Sequence, residues 1–199
     1  MPALLLLRHA KSDWADASLA DHDRPLAPRG ERAALAMGQY MRQRGLCPDL
    51  VLCSSARRAC DTYELVASRL DGAPDVLVER ELYLAGSSAL LARLRRVPAG
   101  IAALMLVAHN PDLQQLAQAL AGQGAEELLL AVRAGFPTAA LAVLAVPGWN
   151  KLAPDSATLS LFRAPRQLLC SRPIKTRRPN WRGPSGRAAT PLRRRPSAT

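Results

Sequence analysis

The chain has 199 residues, 49% of them hydrophobic, and a formal net charge of +11. This length is sufficient for one domain with a buried core. No apolar run is long enough for a membrane helix, and no basic segment precedes the first run as it would in a signal peptide. The cysteines form no C-x-x-C pair, so we expect reduced thiols and a cytoplasmic protein, without a disulfide framework or a zinc site. They are Cys47, Cys53, Cys60 and Cys170.

The positive charge is concentrated at the C-terminal end. Residues 1–162 hold equal numbers of basic and acidic side chains, whereas the residues that follow hold eleven Lys and Arg and no acid. We therefore predict an α/β domain over residues 1–165 and a basic, Pro/Arg-rich, disordered tail over residues 166–199. Such a tail can bind nucleic acid by neutralising the phosphates of the nucleic acid. We favour the alternative that the tail is a solvated extension without a dedicated partner.

The predicted elements alternate between strands and helices. Apolar runs typical of buried strands occur at residues 3–7, 50–53, 76–78, 103–108, 139–146 and 158–162. Amphipathic stretches predict helices at residues 29–44, 57–70, 87–96 and 111–120. Ser54 or Ser55, Ser87 and Asn110 are expected to cap the last three of these helices. The alternation indicates an α/β fold, a three-layer α/β/α sandwich around a mostly parallel central sheet.

Polar clusters follow three of these strands. Arg8 and His9 end the first strand, Arg57 and Arg58 follow the second, and His109 follows the fourth. Ligand sites in open α/β sheets form beyond the carboxyl ends of the strands, and a guanidinium matches the geometry of a phosphate. We predict that these clusters lie at one rim of the sheet and bind a phosphoryl group. Arg57 is the exception, because we expect its side chain to be solvated at the surface.

This set of side chains suits phosphoryl transfer. A neutral imidazole can attack phosphorus and form a covalent phospho-enzyme, while a second imidazole binds a phosphoryl oxygen. Two guanidiniums and an imidazolium can supply the charge that the transferring oxygens require, so we expect no cofactor and no metal. Carboxylates between residues 13 and 23 offer an alternative, a divalent cation site, but they lack the spacing of a calcium loop.

Three segments carry a resemblance to a known family. They resemble motifs of the histidine phosphatase superfamily, in its phosphoglycerate-mutase-like branch. The segments are Leu7-Arg8-His9-Ala10-Lys11-Ser12-Asp13-Trp14, Ser54-Ser55-Ala56-Arg57-Arg58-Ala59-Cys60-Asp61-Thr62 and Ala108-His109-Asn110-Pro111. The R-H-A-K-S form, followed by Arg24-Pro25-Leu26 and Arg29-Gly30, is similar to the small SixA-type phosphohistidine phosphatases. The resemblance covers residues 3–163.

The resemblance implies a role for each matching residue. His9 matches the nucleophile that becomes phosphorylated, and Arg8, Arg58 and His109 match the rest of the phosphate pocket. Ser12 matches a position where a hydroxyl often lines this pocket. Larger members of the family carry an acid after the third strand that protonates the leaving group. The nearest candidate here is Glu81, which we interpret as a solvated side chain.

The resemblance also implies an activity. We expect a phosphoglycerate-mutase-like fold and a monomeric phosphatase that acts through a phosphohistidine intermediate, on a phosphorylated protein whose phosphoryl group is carried by histidine. An imidazole leaves more readily than an alkoxide, so a missing acid is less damaging for a P–N bond. Two alternatives stay open: a phosphatase for a small phosphomonoester, and a non-catalytic protein that binds anions or nucleic acid through the basic tail.

Overall fold

A seven-stranded sheet forms the centre of the computed structural model, which describes residues 1–169. The strands are β1 (Ala3–Arg8), β2 (Leu50–Ser54), β3 (Asp75–Glu79), β4 (Ala103–Ala108), β5 (Ala121–Gly124), β6 (Leu141–Ala145) and β7 (Ala157–Arg163). They lie in the order β3-β2-β4-β1-β6-β7-β5. All pairs among the first four of these are parallel, as is the β5–β7 pair, whereas β6 is antiparallel to both of its neighbours. The predicted mostly parallel sheet is confirmed.

Helices cover both faces of this sheet and complete the predicted three-layer sandwich. They are α1 (Pro28–Gln43), α2 (Arg57–Ala67), α3 (Ser87–Leu94), α4 (Asp112–Leu120), α5 (Glu126–Ala134) and α6 (Arg166–Leu169). Side chains alternate along β1, so Leu5 and Leu7 pack with α1 and α2, whereas Leu4 and Leu6 pack with α3, α4 and α5. A strand buried on both faces shows a continuous apolar run for this reason.

The helix caps differ from the predicted ones. The residues at the N-cap positions of α2, α3 and α4 are Ala56, Gly86 and Pro111, and none makes a side-chain capping hydrogen bond. Asn110 instead donates through Nδ2 to the carbonyl oxygen of Phe136, at 3.2 Å. Ser54 is also engaged elsewhere, in a contact with His109 described below. Tertiary partners therefore replace local capping at these helix ends.

Two strands differ from the prediction, one in its burial and one because no strand was predicted there. β3 is an edge strand whose apolar side chains are exposed, although its composition suggested burial. β5 was not predicted, because its sequence Ala-Gly-Gln-Gly has neither an apolar run nor strict alternation. Both lie at the ends of the sheet, where the hydrophobic pattern is least constrained.

The C-terminal part of the described chain differs from the predicted tail boundary. Residues 166–169 form the short helix α6, which contacts α1, and the remaining predicted tail, residues 170–199 with Cys170, lies outside the described residues. Cys47, Cys53 and Cys60 are free thiols. Within residues 1–169, none of the helices combines the length and apolar character needed to cross a bilayer.

Gly30 allows α1 to pack against the loop that follows β1. A Cβ atom at this position would lie 2.2 Å from the carbonyl oxygen of Lys11, and the same oxygen accepts a hydrogen bond from the N–H of Ala27 at 2.9 Å. The start of α1 therefore rests directly on the backbone that follows His9, at a distance that only glycine permits.

We expect Gly30→Ala to lower the free energy of unfolding by about 1–3 kcal/mol, because the new methyl group must displace backbone. This reverses the usual preference for Ala over Gly within a helix. Urea unfolding measures the effect, and Gly100→Ala is the matched control, since nothing lies within 4 Å of a Cβ built there. Equal stabilities of the two variants would contradict the packing argument.

Candidate active site

The register of β1 and β4 brings two predicted residues together. Arg8 pairs with Ala108, so His9 and His109 leave the sheet at the same level. Their ring centroids are 4.9 Å apart, and both side chains are buried. β2 lies on the other side of β4, and its last residue, Ser54, places Oγ 2.8 Å from Nε2 of His109. The predicted convergence of three strand ends on one rim is therefore present.

The backbone next to His9 sets the tautomer of its ring. The Nδ1 atom lies 2.7 Å from the carbonyl oxygen of Ala10. A carbonyl can only accept, so Nδ1 carries the proton and the neutral ring keeps its lone pair on Nε2. The loop itself is held by Thr62 of α2, whose Oγ1 accepts from the N–H of Ala10 at 2.8 Å. His9 is thus fixed in the form that can attack an electrophile.

Arg8 and Arg58 are near enough to the two rings for their positive charges to lower the pKa of both imidazoles. Arg8 donates through Nη1 to the carbonyl oxygen of Phe136, at 2.7 Å. Arg58 is 5% exposed and donates through Nη1 to the backbone carbonyl and through Nη2 to the carboxylate of Asp21, the latter at 2.9 Å. Each guanidinium has five N–H donors, so both retain donors for an anion.

Some buried polar atoms of these residues lack a partner. Nε of Arg8 and Nδ1 of His109 belong to the few buried side-chain nitrogen and oxygen atoms within residues 1–169 that make no hydrogen bond. A buried polar group without a partner costs about 1–3 kcal/mol, and such groups call for a physical explanation. A bound oxyanion is the kind of acceptor that Nε of Arg8 and a protonated Nδ1 of His109 lack.

Three residues at the mouth of the site were not predicted as part of it. The 3₁₀ helix Asp21–Asp23 carries Asp21 against Arg58, and Tyr83 donates its hydroxyl to the Asp21 carboxylate at 2.6 Å. The Tyr83 ring lies edge-on to His109, with centroids 5.3 Å apart, and to His22, at 5.0 Å. His22 also contacts Ser55, with its Nε2 atom 2.9 Å from the Ser55 Oγ atom. The one local sign in the sequence that Asp21 has a charged partner was its position three residues before Arg24.

The other candidate residues lie in different surroundings. Ser12 is buried and accepts a hydrogen bond from Nη2 of Arg24 at 2.5 Å, so its hydroxyl anchors a third guanidinium, which also pairs with Asp21. The side chain of Arg57 is 56% exposed and pairs with Asp61. Glu81 is exposed on the 3₁₀ helix Arg80–Leu82. Arg57 and Glu81 are therefore the solvated side chains that the sequence predicted.

A separate cavity of about 400 Å³ lies at the opposite end of β1. Its walls include Ala3, Leu5, Leu46 and Leu161. Because Ala3 begins β1 and His9 follows its last residue, the cavity is separated from the imidazoles by the length of the strand. We assign the chemistry to the rim that holds the titratable groups.

Burial determines the protonation of the two imidazoles. Desolvation lowers the pKa of His9 to about 4, although the hydrogen bond to Ala10 acts in the opposite direction. Desolvation lowers the pKa of His109 to about 3, and the neighbouring His9 adds to this effect. Both rings are therefore neutral at physiological pH. A neutral His9 is the form that can act as a nucleophile.

Sequence comparisons relate this chain to a protein family and to a similar protein. A family model of the histidine phosphatase superfamily (branch 1) matches residues 4–83. An uncharacterized protein of Mycobacterium tuberculosis is 40% identical over 163 residues, which span 80% of this chain and 100% of that protein.

Two solved structures have a similar fold and similar sequences, and both are inferred, not demonstrated, to be the phosphohistidine phosphatase SixA. The protein from Nakamurella multipartitia is 32% identical with a TM-score of 0.73, and the match covers 82% of this chain and 96% of that one. The protein from Agrobacterium tumefaciens is 32% identical with a TM-score of 0.71, and the match covers 82% of this chain and 99% of that one.

We expect the free energy of unfolding to fall as the pH decreases from 6.5 to 4. The unfolded chain binds protons at His9 and His109 near pH 6.5, whereas the folded chain keeps both rings neutral until about pH 4 or below. The loss is on the order of 3 kcal/mol for His9. Urea unfolding at several pH values measures it, and His9→Asn should lose less stability over this interval.

The neighbouring carboxylate does not interfere with this measurement. The pKa of Asp21 is lowered to about 2, chiefly by the Tyr83 hydroxyl. Its contribution to stability is therefore present above the ordinary pKa of aspartate and is lost only as the pH falls toward 2. An unfolding free energy that stays constant between pH 6.5 and 4 would contradict the burial argument.

Proposed function

Since this chain belongs to the histidine phosphatase superfamily and is a SixA-type phosphoric ester hydrolase, we propose that it removes the phosphoryl group from phosphohistidine in a protein substrate. His9 is the nucleophile, and Arg8, Arg58 and His109 hold the phosphoryl oxygens. The observation that carries this proposal is the hydrogen bond from Nδ1 of His9 to the carbonyl oxygen of Ala10. It leaves the lone pair on Nε2, within a cluster of guanidinium and imidazole donors.

The first chemical step is a transfer between two nitrogen atoms. Nε2 of His9 forms a bond to phosphorus while the bond from phosphorus to the substrate ring breaks, and the electron pair of that bond returns to the substrate nitrogen. Water then attacks phosphorus and releases inorganic phosphate, which restores neutral His9. Throughout both steps the Ala10 carbonyl accepts from Nδ1–H and stabilises the positive charge that develops on the phosphorylated ring.

The remaining pocket residues neutralise the phosphoryl oxygens. Arg8 and Arg58 retain N–H donors that the protein does not use. When the Ser54 hydroxyl donates to Nε2 of His109, Nδ1 of that ring carries the proton and can donate to an oxygen. Donors held in fixed positions stabilise charge that develops in the transition state without reorganising. We assign this role to the three residues together.

The choice of phosphohistidine follows from the leaving group. A carboxylic acid that could protonate an alkoxide is expected after β3, and Glu81, the candidate there, is exposed on its 3₁₀ helix. The residue that reaches the site from this segment is Tyr83, a phenol already hydrogen-bonded to Asp21. An imidazole departs without the strong acid that an alkoxide needs. The SixA assignments of the two similar structures support the same substrate class.

Arg58 and Arg57 form a natural pair for testing the pocket. Arg58→Ala should lower kcat/KM by about 10²- to 10³-fold, the usual effect of removing one preorganised donor, whereas Arg57→Ala should change it less than about twofold because its side chain is solvated. Steady-state kinetics on a phosphohistidine peptide measures both. Equal effects of the two substitutions would refute the assignment of Arg58 to the phosphate pocket.

We expect the protein to hydrolyse a phosphohistidine peptide with a higher kcat/KM than a phosphoserine peptide or a sugar phosphate. The reason is the missing acid for an alkoxide leaving group. Phosphate release from the three substrates measures the preference, and His9→Ala should abolish turnover of all three. Comparable values for the substrates would favour the small-monoester alternative.

A truncation separates the enzyme from the binding-protein alternative. Deletion of residues 170–199 removes most of the excess positive charge but none of the residues around His9. Turnover should stay nearly intact after this deletion. If the truncation eliminated turnover and His9→Ala did not, the activity would depend on the tail and our proposal would be wrong.

A further inference from the structure

Asp21 holds a carboxylate at the mouth of the site with part of its capacity unused. Its oxygens accept from Nη2 of Arg58 at 2.9 Å, from the Tyr83 hydroxyl at 2.6 Å and from Nη1 of Arg24 at 2.7 Å. A carboxylate offers about four acceptor positions, and 49% of this side chain is exposed. One further donor from solvent or substrate can therefore be accepted.

Asp21 lies on the solvent side of the pocket, since 49% of its side chain is exposed against 6% for its partner Arg58. Its direct partner Tyr83 has its ring against His109, and its partner Arg58 lies within the pocket. Asp21 is thus one side chain removed from the imidazoles and open toward solvent, the side from which a protein substrate approaches. A carboxylate here repels a phosphate but attracts a positively charged ring.

Phosphohistidine can present such a ring. One of its nitrogens is bonded to phosphorus, and the other can carry a proton, which makes the ring cationic. When the P–N bond of this cation breaks, its electron pair returns to the nitrogen that leaves, and the ring departs as neutral imidazole with the distal proton still in place. The leaving nitrogen itself therefore needs no acid, provided that the distal N–H is stabilised. Alkyl and aryl phosphates have no such N–H.

We propose that Asp21 is a specificity-determining residue that accepts a hydrogen bond from the distal N–H of the leaving imidazole ring. This inference rests on the proposed function, because it assumes phosphohistidine as the substrate. A charge-assisted hydrogen bond of this kind is stronger than one between neutral groups. It favours the protonated substrate ring and so replaces the acid that larger members of the family use.

Asp21 also positions Arg58, and the two roles can be separated. The backbone carbonyl of Asp21 accepts from Arg58 whatever the side chain is, and an asparagine side chain can still accept one hydrogen bond from Nη2. Loss of positioning would slow every substrate, whereas loss of the contact with the leaving ring would slow only substrates that carry the N–H. The ratio of two activities therefore distinguishes the roles.

The experiment compares two substrates on the full-length protein. We measure kcat/KM of wild-type and Asp21→Asn protein for a phosphohistidine peptide and for p-nitrophenyl phosphate, whose leaving group needs no proton. The ratio of the two values should fall about tenfold in the variant. Because both substrates are measured on one preparation, a reduced fraction of folded protein does not affect the ratio.

Asp23→Asn is the matched control. It removes the same charge from the same 3₁₀ helix, but the Asp23 side chain is 64% exposed and pairs with His22. We expect its activity ratio to stay within about twofold of the wild-type ratio. An equal fall of the ratio in both variants would indicate a general electrostatic effect and overturn the inference.

The pH profile provides a second measurement. The carboxylate stabilises the cationic form of the bound substrate ring and so raises its pKa, and kcat declines as that ring loses its proton. In Asp21→Asn this decline should move to lower pH by about one unit. The charged and titratable groups around Asp21 are Arg24, Arg58, Tyr83, His9 and His109, with His22 and Asp23 on its own helix. All of these remain in the variant.

The outcomes distinguish this inference from the proposed function. If the wild-type protein hydrolyses p-nitrophenyl phosphate but not the phosphohistidine peptide, the proposed function itself fails. If it hydrolyses the peptide and Asp21→Asn lowers both activities equally, or leaves the ratio and the pH profile unchanged, only the assignment of Asp21 is wrong.

Discussion

The parallel pairing of β1 with β4 is the constraint on which the site depends. Backbone hydrogen bonds set Arg8 beside Ala108, and this register alone makes the next two residues, His9 and His109, neighbours. A slip of one residue would turn every side chain of β1 to the opposite face of the sheet. Leu4–Leu7 are buried on both faces and are alike, so the cost of such a slip comes from the end of the run, where Arg8 would have to enter the buried part of the sheet. The boundary between the apolar run and its charged end therefore helps to align the two imidazoles.

Burial gives these side chains their chemistry and also creates an electrostatic problem. Desolvation keeps His9 and His109 neutral. The neutral form is the one required for the proposed roles of His9 as nucleophile and His109 as hydrogen-bond donor. The same environment disfavours the charges of Arg8 and Arg58. Arg58 is stabilised by the Asp21 carboxylate and Arg8 by the Phe136 carbonyl, yet the buried Nε of Arg8 has no hydrogen-bond partner among residues 1–169. A phosphoryl dianion meets both needs at once, because it adds negative charge and accepts hydrogen bonds.

The features that could be predicted from sequence are those that depend on neighbouring residues. The run Leu4–Leu7 ending in Arg8 and His9 predicts both a buried strand and the place where it opens, and the sheet order then brings three such ends together. The helix caps could not be predicted, because Ser54 and Asn110 have partners far along the chain, His109 and Phe136. Asp21 was missed for the same reason: its partner Arg58 lies 37 residues away. An acid within a stretch of several carboxylates gives no sign of a tertiary contact of this kind.

The segment after β3 is the part of the chain that bears on the proposed choice of substrate. It delivers the phenol of Tyr83 to the site and leaves Glu81 in solvent, so the strongest acid of the segment is out of reach. Tyr83 in turn donates to Asp21, and this hydrogen bond helps to keep the carboxylate ionised. A mouth built from an ionised acid and a hydrogen-bonded phenol cannot readily protonate an alkoxide. It can stabilise a leaving group that brings its own proton, and this property supports the proposed substrate, whose phosphorus is bonded to nitrogen.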